Sequence, residues 1–235
     1  MTLPEVMAVL QSKGSESVKR IFLRHGAKEP FFGVKVGDLK PLAKQLKGRQ
    51  DLALELYATG NGDAQYLAGM MADGRLMTKA QLDRWAKTAA WDMISGTIVP
   101  WVASEHPAGA ELAFKWTTAR SEQVARAGWS TLGALAATVP DADLPLKDYA
   151  RALKELPRTL PKASDGVRYT MNNFLIACGS YVAPLADAAL ATARVIGPVQ
   201  VDMGDTACKV PDAESYMLKA RRGAAVAPKR KTVRC

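Results

Sequence analysis

A chain of 235 residues, 48% hydrophobic and 23% charged, has enough apolar material for a large buried core and the composition of a globular protein, not of a disordered or collagenous one. Its net charge of +9 is uneven: from Ser215 to the end there are seven Lys/Arg and no acid, which leaves the first 214 residues at +2 and points to a polyanionic partner. No uncharged apolar run reaches the ~18 residues of a membrane span, the N-terminus lacks a basic leader, and Cys178, Cys208 and Cys235 show no CxxC spacing, so membrane insertion, secretion and a disulfide or zinc framework are set aside and a reduced, cytoplasmic setting is expected.

The hydrophobic period is helical nearly throughout. Val18, Ile21 and Phe22 mark the first apolar face, then Leu39, Leu42, Ala43 and Leu46 at i, i+3, i+4, i+7, then Ala64, Leu67, Ala68 and Met71. Thr78-Lys79-Ala80-Gln81 has the form of a capping box, and Ser15, Ser121 and Ser164 are further N-cap candidates. Gly14, Gly33, Gly48, the Gly60-Asn61-Gly62 run, Gly74, Pro107, Pro140, Pro157, Pro161 and Gly197 punctuate the pattern. Residues 157–164 are the best linker candidate but too short to separate independent domains. Residues 198–202 form the single plausible extended piece. The reading is one helical domain over residues 1–222 followed by a basic tail, 223–235, as the least ordered segment.

These breaks imply roughly a dozen helices of about 10–18 residues with short connections. Such a succession fits an all-α fold, a right-handed α-solenoid of stacked helix pairs, better than a four-helix bundle; an irregular globular helical domain is the competing architecture.

Four stretches carry candidate chemistry. In residues 91–101 an indole is followed directly by a carboxylate within an apolar helical run. Aspartate is disfavoured inside helices, so Trp91-Asp92 either pins a helix start or faces a ligand with a flat apolar wall and a negative charge. Ser95 shares a face with Trp91, and Pro100 disturbs the helix one turn later. In residues 121–129, Arg126 among small residues either lies on the surface, binds a phosphate or pairs with a carboxylate such as Asp92. In residues 165–174, Arg168 and the adjacent amides Asn172 and Asn173 lie in an apolar helix; the amides either bind a ligand or tie neighbouring helices, the tie being preferred. In residues 201–211 the set Asp202, Asp205, Cys208 lacks a histidine, so a turn with Asp205 as a helix cap is favoured over a metal site. No cofactor is expected, since no Walker or dinucleotide glycine signature occurs, and His25 and His106 have no nucleophile motif around them.

Taken in order, Phe31-Phe32-Gly33-Val34-Lys35-Val36 before an amphipathic helix, Trp91-Asp92 leading to Ile98-Val99-Pro100, Arg126-Ala127 and the helix of residues 167–174 resemble the DNA alkylation repair protein family, curved stacks of HEAT-like helix pairs, over residues 18–220. The resemblance implies a concave basic surface that holds duplex DNA, alkylated or distorted, by its backbone, in a monomer. In the family's glycosylases a carboxylate stabilises an oxocarbenium-like transition state as the alkylated base leaves. Carried over residue by residue, Trp91 matches the family's indole, Asp92 the carboxylate beside it and Arg126 the phosphate-contacting arginine. Phe174 is the nearest counterpart of a second tryptophan. Arg168, Lys229, Arg230 and Lys231 complete the expected DNA contacts. Two departures matter: Ser95 stands where the catalytic aspartate is expected, and the segment is one residue longer before Ile98. Loss of one placed charge costs about 10²–10³-fold in rate. The resemblance therefore implies a DNA-binding protein without robust glycosylase activity. An alkylpurine glycosylase using Asp92 and Trp91, and a helical protein scaffold, are the alternatives.

Overall fold

The computed structural model describes residues 1–204 and 206–234. The chain divides into two compact units, residues 1–107 with 204–207, and residues 108–203 with 208–235. The division falls at Pro107, read in the sequence as a break between helices within one domain and not as a boundary between units.

In the first unit, α1 (Leu3–Lys13) and α2 (Glu16–Arg24) precede a loop at residues 25–35, followed by α3 (Val36–Gln45), α4 (Gln50–Ala58), α5 (Gly62–Met71), α6 (Lys79–Thr88) and the short α7 (Val99–Ala103). Helix α5 lies at the centre and packs on α4, α3 and α1. Its predicted face is buried throughout, with Ala64, Leu67 and Ala68 at 0% exposure, because four apolar side chains at helical spacing leave one phase that removes them from water. The face of α3 behaves likewise at Leu39, Leu42 and Leu46, with Ala43 half-buried. On α2 the outcome differs: Val18 is buried and Phe22 half-buried, while Ile21 is 42% exposed. The helix turns Val18 and Phe22, four residues apart, inward, and Ile21 lies off that line.

The second unit holds α8 (Gly109–Thr117), α9 (Glu122–Thr138), α10 (Leu146–Thr159), α11 (Asp165–Tyr181), α12 (Ala186–Ile196) and α13 (Ala213–Arg221). Helix α11 packs on α9, α12 and α13 and carries the core residues Met171, Phe174, Leu175 and Cys178. Burial pushes the Cys178 thiol well above its ordinary range, which keeps it an inert core residue.

The capping box at Thr78 forms in full, with Gln81 returning a bond to the Thr78 N–H. Ser15, Ser121 and Ser164 do occupy N-cap positions, although their hydroxyls make no cap bond. Three other expectations are corrected. Residues 157–164 are no open linker: they complete α10 and run into a 3₁₀ turn, Leu160–Lys162. Residues 198–202 form no strand, since no partner strand exists among the described residues. The tail is held in place: Ala227 N–H bonds the Ser180 carbonyl at 2.7 Å and Arg230 N–H the Ala137 carbonyl at 2.8 Å. The expected cap residue Asp205, like Cys235, lies outside the described residues.

Gly74 opens a 3₁₀ turn, Gly74–Leu76, where a Cβ would stand 1.9 Å from the Val102 carbonyl oxygen. Backbone cannot yield as a side chain can. Gly74→Ala is expected to cost about 3 kcal/mol, at the upper end of overpacking penalties. At Gly166 the added atom would meet the far ends of two flexible side chains, Arg126 and Glu122, so Gly166→Ala should cost clearly less. Parallel urea titrations of the two variants check this order.

Candidate nucleic-acid interface

Two buried polar side chains on α5 shape a small aromatic cleft in the first unit. Asp63, inside the helix, accepts backbone N–H bonds from Phe32 (2.6 Å), Gly33 (3.0 Å) and Val34 (3.0 Å). Burial pushes its carboxyl up from the ordinary aspartate value, and the three donors pull it back. The loop it holds turns at Gly33, whose φ is +80° and whose Cα lies so close to Ser15 and Lys19 that no side chain fits. Two residues along α5, Gln65 donates to the Thr88 carbonyl (2.8 Å) and accepts from Ala90 N–H (2.7 Å), fixing the segment that delivers Trp91.

Between these held segments Phe22, Phe31, Tyr66, Trp91, Met93 and Asp63 line a cavity of about 40 Å³. Trp91 is 8% exposed and packs on Phe22 at 5.4 Å between ring centroids; Phe22 in turn meets Phe31 at 6.1 Å. The cavity is small and partly open, and the indole forms part of its wall.

After Trp91 the chain does not continue as an ordinary α-helix. Residues Ile94–Ile98 form a π turn in which Val99 N–H bonds the Ile94 carbonyl. Such a turn holds one residue more than an α turn, and it precedes Pro100, which has no N–H to give. A turn of this kind has room for the extra residue that the resemblance implies before Ile98. Met93 and Asp92 consequently face solvent, while Ser95 is 0% exposed and donates to the Asp92 carbonyl at 3.3 Å. Ser95 thus offers a ligand no surface.

The charge on this unit is denser than the sequence balance suggested. Residues 13–49 carry ten Lys/Arg against three acids, an excess hidden by acids elsewhere. Arg20, Arg24, Lys28, Lys35, Lys40, Lys44 and Lys47 are all exposed on α2, α3 and their connections. Lys19 is engaged, bonded to Glu29 at 2.7 Å and over the Phe31 ring.

In the second unit the predicted contacts are mostly turned to internal work. Arg126, its side chain 12% exposed, pairs with Glu122 at 2.9 Å, and its guanidinium occupies the space above Gly166 that a Cβ would fill. Arg168 also closes on the start of α11, bonding Asp165 and the carbonyls of Ala163 and Gln200. Phe174 is no counterpart of an exposed ring: at 0% exposure it packs between Trp129 and Tyr149. Asn172 ties α11 to the Pro211 carbonyl at 2.8 Å, the structural tie preferred from the sequence. Lys229 bonds Asp141 (2.7 Å) and the Ala136 carbonyl, whereas Arg230 and Lys231 remain exposed.

Asp63 and Gln65 were missed in the sequence. They lie about 100° to either side of Ala64, off the face that Ala64, Leu67 and Ala68 mark, so the hydrophobic period reads them as flanking polar positions.

Comparison with known proteins agrees with this architecture. The family described as DNA alkylation repair enzyme matches residues 6–216. Uncharacterised proteins of Listeria innocua and Listeria monocytogenes are 30% and 29% identical over 227 residues, covering 94% of this chain and 98% of each relative. A solved structure with a TM-score of 0.89 and 34% identity, covering all of both chains, is described as a new family of proteins related to the HEAT-like repeat DNA glycosylases with affinity for branched DNA structures. The all-α helix-pair fold expected from the sequence is thereby found in a solved relative.

Proposed function

The chain belongs to the DNA alkylation repair family, and we propose that it is a member that binds branched or distorted DNA as a monomer without cleaving the glycosidic bond. The observation that carries this reading is the Trp91 segment. Base excision needs a carboxylate beside the sugar in a site shielded from water, where its charge is effective. Ser95 is neutral and buried, Asp92 lies in solvent, where charge is heavily screened, and Asp63 is committed to three backbone donors.

DNA affinity is supported by the exposed cations of α2 and α3, which suit a phosphate backbone, and by the branched-DNA affinity of the solved relative. Contacts of this kind position DNA without reading sequence, so selectivity comes from shape. The test compares a four-arm junction with a linear duplex of equal length at several salt concentrations. The junction is expected to bind more tightly. Arg20→Glu with Arg24→Glu should weaken binding about 10- to 100-fold and reduce the log–log salt slope by about 2, one unit for each phosphate no longer neutralised. Methylated DNA incubated with the protein should release no purine above the uncatalysed rate. Release that Asp92→Asn abolishes would overturn the non-cleaving reading in favour of a glycosylase.

A further inference from the structure

Helix α13 is fixed from below and open above. Met217 and Ala213 are buried against the unit, and Gly179 of α11 leaves room for Met217, whose Sδ would stand 2.3 Å from a Cβ there. Arg221 is 9% exposed and bonds the carbonyls of Gly179 and Ala186, both at 2.8 Å, locking the end of α13 to α11 and α12. Away from Met217, Tyr216 is 51% exposed, and Leu218, Lys219 and the cap residue Arg222 are exposed at other positions around the helix end. At 100° per residue Tyr216 and Lys219 lie about 60° apart, so ring and ammonium share one side.

The acids near this face are already engaged. Glu214 pairs with Arg194 at 2.9 Å, and Asp212 caps the helix through Ser215 N–H at 2.9 Å. No acid follows Ser215 in the chain. Arg222 ends α13: its φ is +50° and its N–H bonds the Leu218 carbonyl, the left-handed cap that commonly closes a helix.

We propose that the outer face of α13 is a stacking platform for the unpaired bases of branched DNA, with Tyr216 as the ring and Lys219 and Arg222 holding the adjoining phosphates. The proposal rests on the DNA-binding reading above and adds to it a site for single-stranded segments. An exposed aromatic ring beside cations, with the acids of its own helix already engaged, is the arrangement that holds single strands, because every base has a face to stack and every nucleotide a phosphate. A protein partner with an acidic surface is the rival occupant, and the test separates the two.

The experiment uses the full chain and two DNAs, a blunt duplex and the same duplex with a single-stranded flap carrying 2-aminopurine. Binding of the flap is expected to quench the probe. Tyr216→Ala should weaken flap binding about tenfold, the effect of removing one base–ring stack, abolish the quench and leave duplex affinity unchanged, while Tyr216→Trp preserves both. Arg222→Gly should also weaken flap binding, yet leave the melting temperature equal or higher, an outcome that a structural role for Arg222 does not produce. Flap affinity and quenching unchanged in Tyr216→Ala would overturn this inference alone and favour the protein partner. Absence of binding to either DNA by the unaltered protein would overturn the DNA-binding reading as well.

Discussion

Replacing Asp63 by alanine is expected to destabilise the protein by about 4 kcal/mol, close to the upper limit for a single substitution. The carboxylate satisfies three successive N–H groups of the loop at residues 32–34, at 2.6–3.0 Å. Without it, donors inside the unit lose both their acceptor and access to water. Individual bonds to a charged acceptor are worth about 1.5–3 kcal/mol, and their sum is reduced because the loop can relax toward solvent. Asp63→Asn keeps an acceptor oxygen but brings an NH2 group against N–H donors, so it should lose about half as much. Urea denaturation followed by circular dichroism measures both. A midpoint unchanged in Asp63→Ala would show that the loop holds itself. DNA affinity should fall in parallel, since Phe31 and the helices either side of this loop form the cleft and carry the exposed cations.

The second large effect concerns Ser95. If the position were merely an eroded active site, Ser95→Asp would restore base excision. The structure leads to the opposite expectation. Ser95 is fully buried, its hydroxyl directed to the Asp92 carbonyl, so an aspartate there would place a charge inside the unit against another acceptor. A buried charge with no partner costs about 3–5 kcal/mol. Ser95→Asp should therefore melt well below the parent protein and release no methylated purine. Release of purine by a variant of normal stability would show that the π turn opens to bring residue 95 outward.

The helical period was legible because it depends on local spacing: Leu39, Leu42 and Leu46 set the phase of α3, and Thr78 with Gln81 set the start of α6, with no help from distant residues. The phase of α2 was not, because Ile21, Phe22 and Leu23 are consecutive and only packing decides which turns inward. Trp91 stands out in the sequence as a residue needing a reason, but the burial of Ser95 depends on the π turn, which no period announces. Asp63 escaped notice because its partners are about 30 residues away, at 32–34. Composition likewise misjudged the tail. Its hold on the second unit comes from main-chain atoms of Ala227 and Arg230 and from the Lys229–Asp141 pair, which depend on position and not on polarity. Phe174 matched a motif by order while serving the core, since Trp129 and Tyr149 supply its neighbours.

Asp63 and Gln65 grip their loops through peptide groups, which every amino acid possesses. The frame around the cleft is thus indifferent to which residues are displayed on it. A side chain displayed beside the cleft can therefore change while these main-chain grips stay as they are. Support and display are separate in this unit, so the frame alone does not dictate the chemistry it presents.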